Sequence, residues 1–420
     1  MTHPDRPARP RIDQEDPTVT ATSPADPATD GTRAHEERPT MLAIVQDRYG
    51  SADELAPATV DVPSIAATEV LVRVVAAGVD RGVWHLMTGL PYPTRLAFGL
   101  RRPKHRVPGM DLAGVVVSVG SEVTRFSEGD AVFGHGHGTF AELARADEGR
   151  LAAAPRGIDL ASAGALAVSG TTALQAVEDH GHVRHDDRVL VLGASGGVGT
   201  YAVQIARALG AEVTGVASTE KLDLVSALGA DHVIDHRTDD ALDGSRTYDV
   251  IVDAGGNRSL RDLRRALTPG GTLVIVGGEG GGRWLGGLDR QVRALIASTV
   301  VRQRLTTFVA SEDAAHLERL ADLVEAGAVA PVIDRRVPLA DTADAVRHLA
   351  AGKARGKVLV EVAAPSGWGG PGGTAIARQR PAPGRDIVGH RRSTTSPAPA
   401  GPRSPQRVAV DGTRCEGRPA

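Results

Sequence analysis

The feature that most constrains this chain is a glycine-rich turn between a short apolar run and a helical pattern, within residues 188–212. Arg188–Leu192 is predicted to form a strand that is covered on both faces. The turn after it contains four glycines: Gly193, Gly196, Gly197 and Gly199. Glycine permits sharp turns and lets the backbone approach a ligand closely. From Thr200 onward apolar residues recur at helical spacing, and Gly210 is predicted to end the helix.

A strand, a glycine-rich turn and a helix in this order predict a site for a pyrophosphate. The N-terminus of a helix offers free N–H groups and the positive end of its dipole to an anion. Glycines also form tight turns that bind nothing, which is the alternative, but the flanking elements supply the context of a dinucleotide fingerprint. The residues predicted to contact the dinucleotide are Gly193, Ala194, Ser195, Gly196, Gly197, Val198 and Gly199.

Length and composition exclude several classes of protein. A chain of 420 residues is long enough for two domains. It contains no run of about 18 apolar residues, so we expect no membrane span, and its N-terminus lacks the apolar core of a secretory signal. A net charge of −3 gives no case for nucleic-acid binding. The single cysteine, Cys415, allows neither an intramolecular disulfide nor a thiolate zinc cluster, which predicts a cytoplasmic protein.

Both ends of the chain are predicted to be disordered. Residues 1–40 and 364–420 are rich in proline and polar residues and cannot bury enough apolar surface to offset the entropy of ordering. Met41, where the first strand-like run begins, is an alternative start of translation. The C-terminal tail carries nine arginines and three acidic residues, so weak association with anionic surfaces is an alternative to a merely solvated tail.

The remaining sequence divides into three segments. Residues 41–159 are strand-rich and irregular, with glycine-containing turns. Residues 160–310 alternate strands with helices such as Lys221–Leu228 and Ser259–Leu267. The strands predicted there are Arg188–Leu192, Glu212–Ala217, His232–Ile234, Asp249–Asp253, Thr272–Val276 and Leu305–Val309. Six strands with helical crossovers predict a Rossmann-type α/β fold with a doubly wound parallel sheet. Residues 311–363 contain two amphipathic helices and a closing strand, which we expect to rejoin the first domain.

The residues after the second strand favour NADPH over NADH. Enzymes that use NAD usually carry Asp or Glu at the end of this strand, where it binds the ribose 2′-hydroxyl. This chain has Ser218 there, followed by Lys221, while His236 and Arg237 close the third strand. Hydroxyl, ammonium, imidazole and guanidinium groups suit a 2′-phosphate. Two alternatives stay open: Glu220 could bind the 2′-hydroxyl of NADH, or the basic residues could only solvate a surface.

Motifs along residues 41–362 resemble the medium-chain dehydrogenase/reductase superfamily, and within it the zinc-free NADPH:quinone oxidoreductase branch. They include VPGMDLAGVVVSVGSEVTRFSEGDAVFG, GTFAEL, SGTTALQAV, VLGASGGVG, LGADHVIDH, YDVIVDAGG, LTPGGTLVIVGG and RGKVLVEV, in this order. The resemblance implies a discontinuous, β-rich GroES-like catalytic domain joined to the Rossmann domain, with the active site between them. It also implies a homodimer.

Further cofactor contacts follow from the resemblance and from strand ends. Thr171 resembles the family's threonine near the nicotinamide and the phosphates. Gly255 and Gly277 end later strands and are expected to face the cofactor with their backbone. Lys357, in the closing strand, is a candidate phosphate contact.

The resemblance also bears on zinc. Zinc-dependent relatives place a cysteine, then a His-Glu pair and later another cysteine around the catalytic ion. Here Asp80 stands at the first place and Met110–Asp111 at the second, and a thioether is a poor zinc ligand. His135 and His137 form the one remaining pair, without a third ligand in view. We therefore predict no metal site.

Without zinc the expected acceptors are those that take hydride easily, namely quinones and α,β-unsaturated carbonyls. Zinc-free relatives often have asparagine where Asp80 stands, near the nicotinamide, which makes Asp80 a candidate catalytic residue; its alternative role is to hold the loop after a strand. Trp84 and Tyr92 are candidate walls of the cleft, or ordinary core residues. Two other functions stay open: an alcohol or aldehyde dehydrogenase of the same superfamily, and a non-catalytic NADPH-binding sensor.

Overall fold

A computed structural model describes residues 38–256, 258–277 and 282–362. The predictions of disorder for 1–40 and 364–420 therefore concern residues that, apart from 38–40, lie outside the described part of the chain, as does Cys415.

The strands of the described residues are β1 (Thr40–Val45), β2 (Ala56–Asp61), β3 (Glu69–Val79), β4 (Asp111–Val119), β5 (Ala131–His135), β6 (Leu143–Asp147), β7 (Leu151–Ala153), β8 (Arg188–Leu192), β9 (Glu212–Ala217), β10 (His232–Asp235), β11 (Tyr248–Asp253), β12 (Leu267–Ile275), β13 (Arg304–Thr307), β14 (Ile333–Pro338) and β15 (Lys357–Glu361). The α-helices are α1 (Arg81–Thr88), α2 (Arg95–Phe98), α3 (Leu160–Ala163), α4 (Ala167–Leu174), α5 (Gly197–Ala208), α6 (Leu222–Ala227), α7 (Leu260–Ala266), α8 (Gly282–Leu285), α9 (Leu288–Ser298), α10 (Ala314–Glu325) and α11 (Thr342–Ala350). A π-helical segment, Gln175–His180, continues α4.

The predicted parallel sheet is confirmed. Its six strands lie in the order β10-β9-β8-β11-β12-β13, and all neighbours pair in parallel. This order reverses direction beside the first strand of the sheet, β8, as in a doubly wound fold. The carboxyl ends of β8 and β11 therefore lie side by side, with Leu192 opposite Asp253.

The sheet is buried because both of its faces are covered. In β8 the side chains of Val189, Leu190 and Val191 have no solvent exposure. Val189 and Val191 pack with Tyr201 and Val203 of α5, which are equally buried, whereas Leu190 packs on the opposite face in the cluster of Leu263 and Leu273. Burying a side chain of this size stabilises the fold by about 1.5–3 kcal/mol relative to leaving it exposed. The helical apolar spacing and the continuous apolar run of the sequence correspond to these two packed surfaces.

Three boundaries differ from the prediction by two residues or more, and others by one residue. Helix α5 begins at Gly197 rather than Thr200, because the backbone after Gly196 is already helical. Strand β12 begins at Leu267 rather than Thr272, since Leu267 pairs with Tyr248 across a register shift. Strand β13 ends at Thr307, and Val309 beyond it is 97% exposed.

The second sheet contains strands from both ends of the described chain. Its order is β14-β15-β3-β4-β5-β7, and β6 also pairs with β3. Strand β15 is antiparallel to β3, with Leu359 opposite Gly78, so the closing strand lies in the sheet that the first segment forms. Strand β14, which the sequence did not predict, is parallel to β15 at the edge of the sheet. Charged residues such as Asp334, Arg335 and Arg336 hide its apolar pattern, and they are typical of edge strands.

None of the helices in residues 38–256, 258–277 and 282–362 is long and apolar enough to cross a membrane.

Candidate cofactor and substrate site

The glycine-rich turn lies where the backbones of two strand ends come close. Gly193 has φ +77°, and a Cβ atom there would lie 3.2 Å from the backbone nitrogen of Gly255. A Cβ atom on Gly199 would lie 2.1 Å from the carbonyl oxygen of Gly193. Glycine is thus required for the turn at one position and for the close packing of α5 onto the turn at the other. Gly255, predicted as a cofactor contact, lies beside this turn.

Helix α5 presents its N-terminus without a capping side chain. Gly196 is the N-cap residue, with extended backbone angles, and no side chain caps the first turn. The N–H groups at the start of this helix can therefore bind an anion. Gly277 lies at the same sheet edge, where a Cβ atom would be 3.4 Å from the carbonyl oxygen of Ala254.

The turn is also bound to the segment that leads into β15. The amide of Gly356 donates a hydrogen bond of 2.9 Å to the carbonyl oxygen of Ser195, and Gly356 has φ +90°. Sequence reasoning missed this contact because the two residues lie far apart along the chain. A glycine before an apolar strand was the only local signal.

Ser218 directly follows β9, and basic side chains lie around it. Arg237 forms an ion pair with Glu220, and its hydrogen bond to that carboxylate is the main cause that lowers the pKa of Glu220 to about 2. Arg355 donates to the carbonyl oxygen of Glu220 and to Asp223, at 2.7 Å to one carboxylate oxygen. The sequence did not single out Arg355. His236 is exposed, and its amide donates to the end of β9.

The ammonium group of Lys221 lies close by. Its Nζ atom donates to the carbonyl oxygens of Gly352 and Ala354, at 2.9 and 2.8 Å. Burial lowers the pKa of Lys221. Lys221 therefore contacts the segment before β15, which also carries Arg355. The structure brings Ser218, Lys221 and Arg237 into one neighbourhood.

Lys357 runs beneath the start of α5 and ends in a buried ion pair. A Cβ atom on Gly197 would lie 3.3 Å from Cδ of Lys357. The Nζ atom lies 2.7 Å from Oδ2 of Asp111 and 3.2 Å from Oγ of Ser169. Both partners of the pair are almost fully buried. Lys357 was predicted to contact a phosphate, but its ammonium group binds the carboxylate of Asp111 below the turn.

Helix α4 lies next to this pair. The amide of Val168 donates a hydrogen bond of 2.5 Å to Oδ1 of Asp111. Thr171 is fully buried, and its hydroxyl donates to the carbonyl oxygen of Ala167 at 2.7 Å. The threonine predicted to lie near the cofactor is therefore one turn along the helix from the contact with Asp111.

Asp80 has one carboxylate oxygen in a cap and one without a partner. Its Oδ1 atom accepts a hydrogen bond of 3.0 Å from the amide of Val83, so Asp80 is the N-cap of α1. Among the described residues Oδ2 has no hydrogen-bond partner, although the side chain is only 5% exposed. Burial raises the pKa of Asp80 to about 6, Lys357 opposes the shift, and Asp111 adds to it. Asp80 thus holds the loop after β3 and also carries a carboxyl group that titrates near neutrality.

Two further buried side chains, His135 and Thr139, have polar atoms without hydrogen-bond partners among the described residues. His135 lies opposite Asp111 in the pairing of β4 with β5 and is 3% exposed. Neither ring nitrogen of His135 nor the hydroxyl of Thr139 has a partner in the described part of the chain. Burial lowers the pKa of His135. We refer to Asp80, Asp111, Lys357 and His135 as the buried polar cluster; the sequence offered no signal of its burial.

Trp84 and Tyr92 lie together but apart from the glycine turn. They line a cavity of about 500 Å³, whose other walls come from residues 49–52, 87–95 and 346–350. The guanidinium group of Arg95 lies 4.4 Å from the ring centre of Tyr49 and 4.9 Å from that of Tyr92. The two predicted walls thus share one aromatic cavity.

The two histidines considered as metal ligands do not lie together. His137 borders a separate cavity of about 550 Å³, and its ring stacks on that of His105 at 5.8 Å. His135 is buried near Asp111 instead. Within the described ranges, no group of three or more His, Cys, Asp or Glu side chains is arranged to hold a metal ion.

Two family models match the chain. The model described as alcohol dehydrogenase GroES-like domain matches residues 66–156, and the model described as zinc-binding dehydrogenase matches residues 228–360. The first covers all of β3 to β7, and the second covers the chain from the residue after α6 to within β15.

Curated proteins and a solved structure are similar to this chain over 79% or more of their own length. The chloroplast envelope quinone oxidoreductase homolog of Arabidopsis thaliana is 32% identical over 76% of this chain and 98% of its own length. The NADPH-dependent alkenal/one oxidoreductase of the same plant is 32% identical over 76% of this chain and 79% of its own. The quinone oxidoreductase structure from Coxiella burnetii has a TM-score of 0.67 at 25% identity and covers 77% of this chain and all of its own. The chain therefore belongs to the medium-chain dehydrogenase/reductase superfamily, in its quinone-oxidoreductase-like branch.

Proposed function

We propose that this protein is a zinc-independent, NADPH-dependent reductase that transfers hydride to a quinone or an α,β-unsaturated carbonyl. The observation that carries the proposal is the contact between the glycine turn and the buried polar cluster. Lys357 passes under Gly197 and reaches Asp111, and both charges act on Asp80. We infer that the dinucleotide site and the carboxyl group of Asp80, whose burial raises its pKa to about 6, belong to one active site.

The residues around the turn fit a dinucleotide. Side chains at Gly193 and Gly199 would collide with neighbouring backbone, so the turn keeps an open backbone surface. We propose that residues 193–199 hold the pyrophosphate, with the backbone of Gly255 and Gly277 beside it, and that Thr171 contacts the nicotinamide side. When bound, NADPH supplies the hydride.

The preference for NADPH over NADH is proposed from the groups around Ser218. No acid ends β9, and three cations lie near Ser218, namely Lys221, Arg237 and Arg355. His236 is exposed at the same edge and is proposed as a further contact. Guanidinium groups bind phosphate with two parallel hydrogen bonds, whereas a ribose hydroxyl needs an acceptor such as Asp or Glu.

Zinc independence is proposed from the donors in the sequence. Asp80 and Met110–Asp111 stand where the zinc-dependent relatives have ligands, and Cys415 is the sole cysteine. One of the matching family models is nevertheless described as a zinc-binding dehydrogenase, so metal content has to be measured. One zinc per chain in the purified protein would overturn this part of the proposal.

The positions of Asp80, Trp84 and Tyr92 suggest a role for each side chain in the reaction. We propose that Asp80, whose Oδ2 atom lacks a partner, holds or delivers a proton near the reacting centre. Trp84 and Tyr92 are proposed to bind the apolar body of the acceptor, because they line one aromatic cavity. We also propose two domains, one formed by residues 41–159 together with 311–363 and the other by residues 160–310. The pairing of β15 with β3 supports this division.

A substrate panel with both cofactors tests the function. We expect NADPH oxidation with 9,10-phenanthrenequinone and with an enone, lower kcat/KM with NADH, and no oxidation of simple alcohols with NADP⁺. The variant Arg237→Ser should raise KM for NADPH, because it removes a cation beside the proposed 2′-phosphate, and should not raise KM for NADH, because it frees the carboxylate of Glu220. NADPH binding without turnover would instead support a sensor, and alcohol oxidation would support an alcohol dehydrogenase.

A homodimer and a cytoplasmic location are proposed as well. Helix α9 exposes Leu288, Val292, Leu295 and Ile296, by 38–63%, and a second copy would bury this stripe. Strand β13 beside it ends the parallel sheet. Sedimentation velocity should show a dimer that Val292→Glu dissociates; a monomeric parent protein would remove the proposal.

A further inference from the structure

The segment between α1 and β4 combines exposed apolar side chains with unpaired positive charge. Leu96, Phe98 and Leu100 are 80%, 43% and 67% exposed. Residues 90–107 contain five Lys or Arg residues, one histidine and no acid, in a chain whose net charge is −3. Single exposed apolar residues are common on protein surfaces, but such a concentration beside cations indicates a binding surface. We refer to residues 95–106 as the basic apolar loop.

The positive charges of the loop are largely free. Arg101, Arg102 and Lys104 are exposed and form no ion pair with any residue of the described ranges. Arg106 pairs with Asp47 at 2.6 Å, and both of these side chains are mostly exposed. Within the described residues the loop therefore presents three cations that form no ion pair, of which Arg102 also helps to lower the pKa of Asp47.

Hydrogen bonds and a tight turn fix the conformation of the basic apolar loop. The hydroxyl of Tyr49 donates a hydrogen bond of 2.6 Å to the carbonyl oxygen of Gly99, and the amide of Lys104 donates one of 2.8 Å to Phe98. Gly99 has φ +117°, and a Cβ atom there would lie 2.1 Å from the carbonyl oxygen of Arg102. This tight turn projects the apolar and basic side chains outward together.

A second exposed apolar patch lies beside the loop. Trp284 and Leu285 in α8 are 74% and 48% exposed. The ring of Trp284 packs edge-on against that of Tyr92, with centres 5.2 Å apart, and Tyr92 lies three residues before the loop. Tryptophan is enriched where proteins meet the interface between bilayer and water.

We propose that the basic apolar loop binds the surface of an anionic phospholipid bilayer. Leu96, Phe98 and Leu100 would enter the headgroup region, while Arg101, Arg102 and Lys104 would contact lipid phosphates. A second copy of the chain on this face fits less well, since a symmetric interface would bring the same unpaired cations together. A duplex nucleic acid would leave the apolar tip without a partner.

The proposed surface adjoins the cavity that Trp84 and Tyr92 line, and Arg95 belongs to both. If the proposed function holds, an acceptor with an alkyl chain would reach this cavity from the bilayer in which it dissolves. The binding of the loop to lipid does not depend on that function, because it requires neither NADPH nor an acceptor.

The test is partition of the full chain between buffer and vesicles, without cofactor. We expect binding to phosphatidylcholine vesicles that contain phosphatidylserine, little binding to phosphatidylcholine alone, and weakening with salt. Each basic residue at an anionic surface contributes about fivefold to partition, so Arg101→Ser/Arg102→Ser should bind about 25-fold more weakly. Leu96→Ser/Leu100→Ser should lose at least about tenfold.

The matched control is Arg184→Ser/Arg261→Ser, which removes the same net charge from two exposed sites outside the loop and should bind as the parent does. The arginine-rich tail is present in every variant, so differences among them report on the loop. Equal vesicle binding by the parent and both loop variants would overturn the proposal. Two other results would overturn it if vesicle binding is unchanged in the variant. The first is a dimer that Leu96→Ser/Leu100→Ser dissociates. The second is DNA binding that Arg101→Ser/Arg102→Ser abolishes. Circular dichroism melting of each variant establishes that it is folded.

Discussion

The glycine turn and the buried polar cluster lie next to each other but are built in opposite ways. The turn is continuous in sequence, and its function depends on missing side chains: Gly193 and Gly199 leave room that Cβ atoms would fill. The cluster joins side chains from distant parts of the chain, and the atoms that form its ion pair come from residues 246 positions apart. One site thus depends on local backbone geometry, the other on tertiary packing.

The difference concerns electrostatics as well. The turn offers backbone N–H groups, whose partial charges do not titrate. The cluster contains full charges in a region that water scarcely reaches, and only some are compensated: Asp111 has Lys357, whereas Oδ2 of Asp80 has no partner in the described residues. Changes in the cluster should therefore affect stability and pH dependence, and changes in the turn should affect packing and cofactor binding.

The largest expected effect comes from breaking the ion pair of the cluster. In Lys357→Met the carboxylate of Asp111 stays buried without its counter-charge, which should lower the free energy of unfolding by about 3–5 kcal/mol. The double variant Lys357→Met/Asp111→Asn removes both charges and should recover most of the loss. Urea unfolding measures all three proteins. The control Arg156→Met breaks the exposed pair with Glu325 and should cost less than about 1 kcal/mol. Parent-like stability of Lys357→Met would contradict this view of the cluster.

A smaller effect is expected at Asp80, and its size depends on pH. Burial raises the pKa of Asp80 in the folded state to about 6, above the ordinary aspartate value of 3.8, so the folded state holds the proton more tightly and stability falls as pH rises through this window. Asparagine is also a good N-cap and carries no charge. Asp80→Asn should therefore raise the free energy of unfolding by up to about 3 kcal/mol above pH 7 and leave it unchanged below about pH 3.

The control for Asp80 is another aspartate N-cap. Asp159 accepts a hydrogen bond from the amide of Ser162 at the start of α3. Burial acts to raise its pKa, but hydrogen bonds from Ser162 and Arg336 outweigh burial and lower it. Asp159→Asn should therefore reduce stability above pH 4, opposite in sign to Asp80→Asn. If both substitutions change stability in the same direction, the burial of Asp80 does not control its titration.

The glycine turn could be predicted from the sequence further than the buried polar cluster, because the turn is local and the cluster joins distant residues. Strands β8 and β9 were predicted to the residue, because apolar runs and turn residues lie contiguously along the chain. The contacts of Gly356 with Ser195, and of Lys357 with Asp111, could not be predicted, since they depend on how β15 returns to β3. Local pattern identifies elements, whereas the partners of a buried charge depend on the packing of distant elements.

The assignment of the four glycines shows the same limit at close range. The sequence placed all of them in a turn, but Gly197 and Gly199 lie in the first turn of α5. Glycine spacing alone does not distinguish a residue that bends the chain from one that lets a helix pack closely. At Gly199 the deciding contact is with Gly193, six residues earlier.

The smallest effect, on packing, comes from adding one methyl group to the turn. Gly199→Ala places Cβ 2.1 Å from the carbonyl oxygen of Gly193, so α5 has to shift, which should cost about 1–3 kcal/mol of stability and weaken NADPH binding. Gly196→Ala meets its nearest atom at 3.4 Å and has extended backbone angles, so stability should change little. Since its Cβ would still obstruct a pyrophosphate that approaches the backbone, NADPH binding should weaken in this variant too. Thermal melts and fluorescence titration with NADPH separate the two quantities. Unchanged NADPH affinity in Gly196→Ala would mean that the backbone at this position does not approach the cofactor, leaving the turn with a packing role alone.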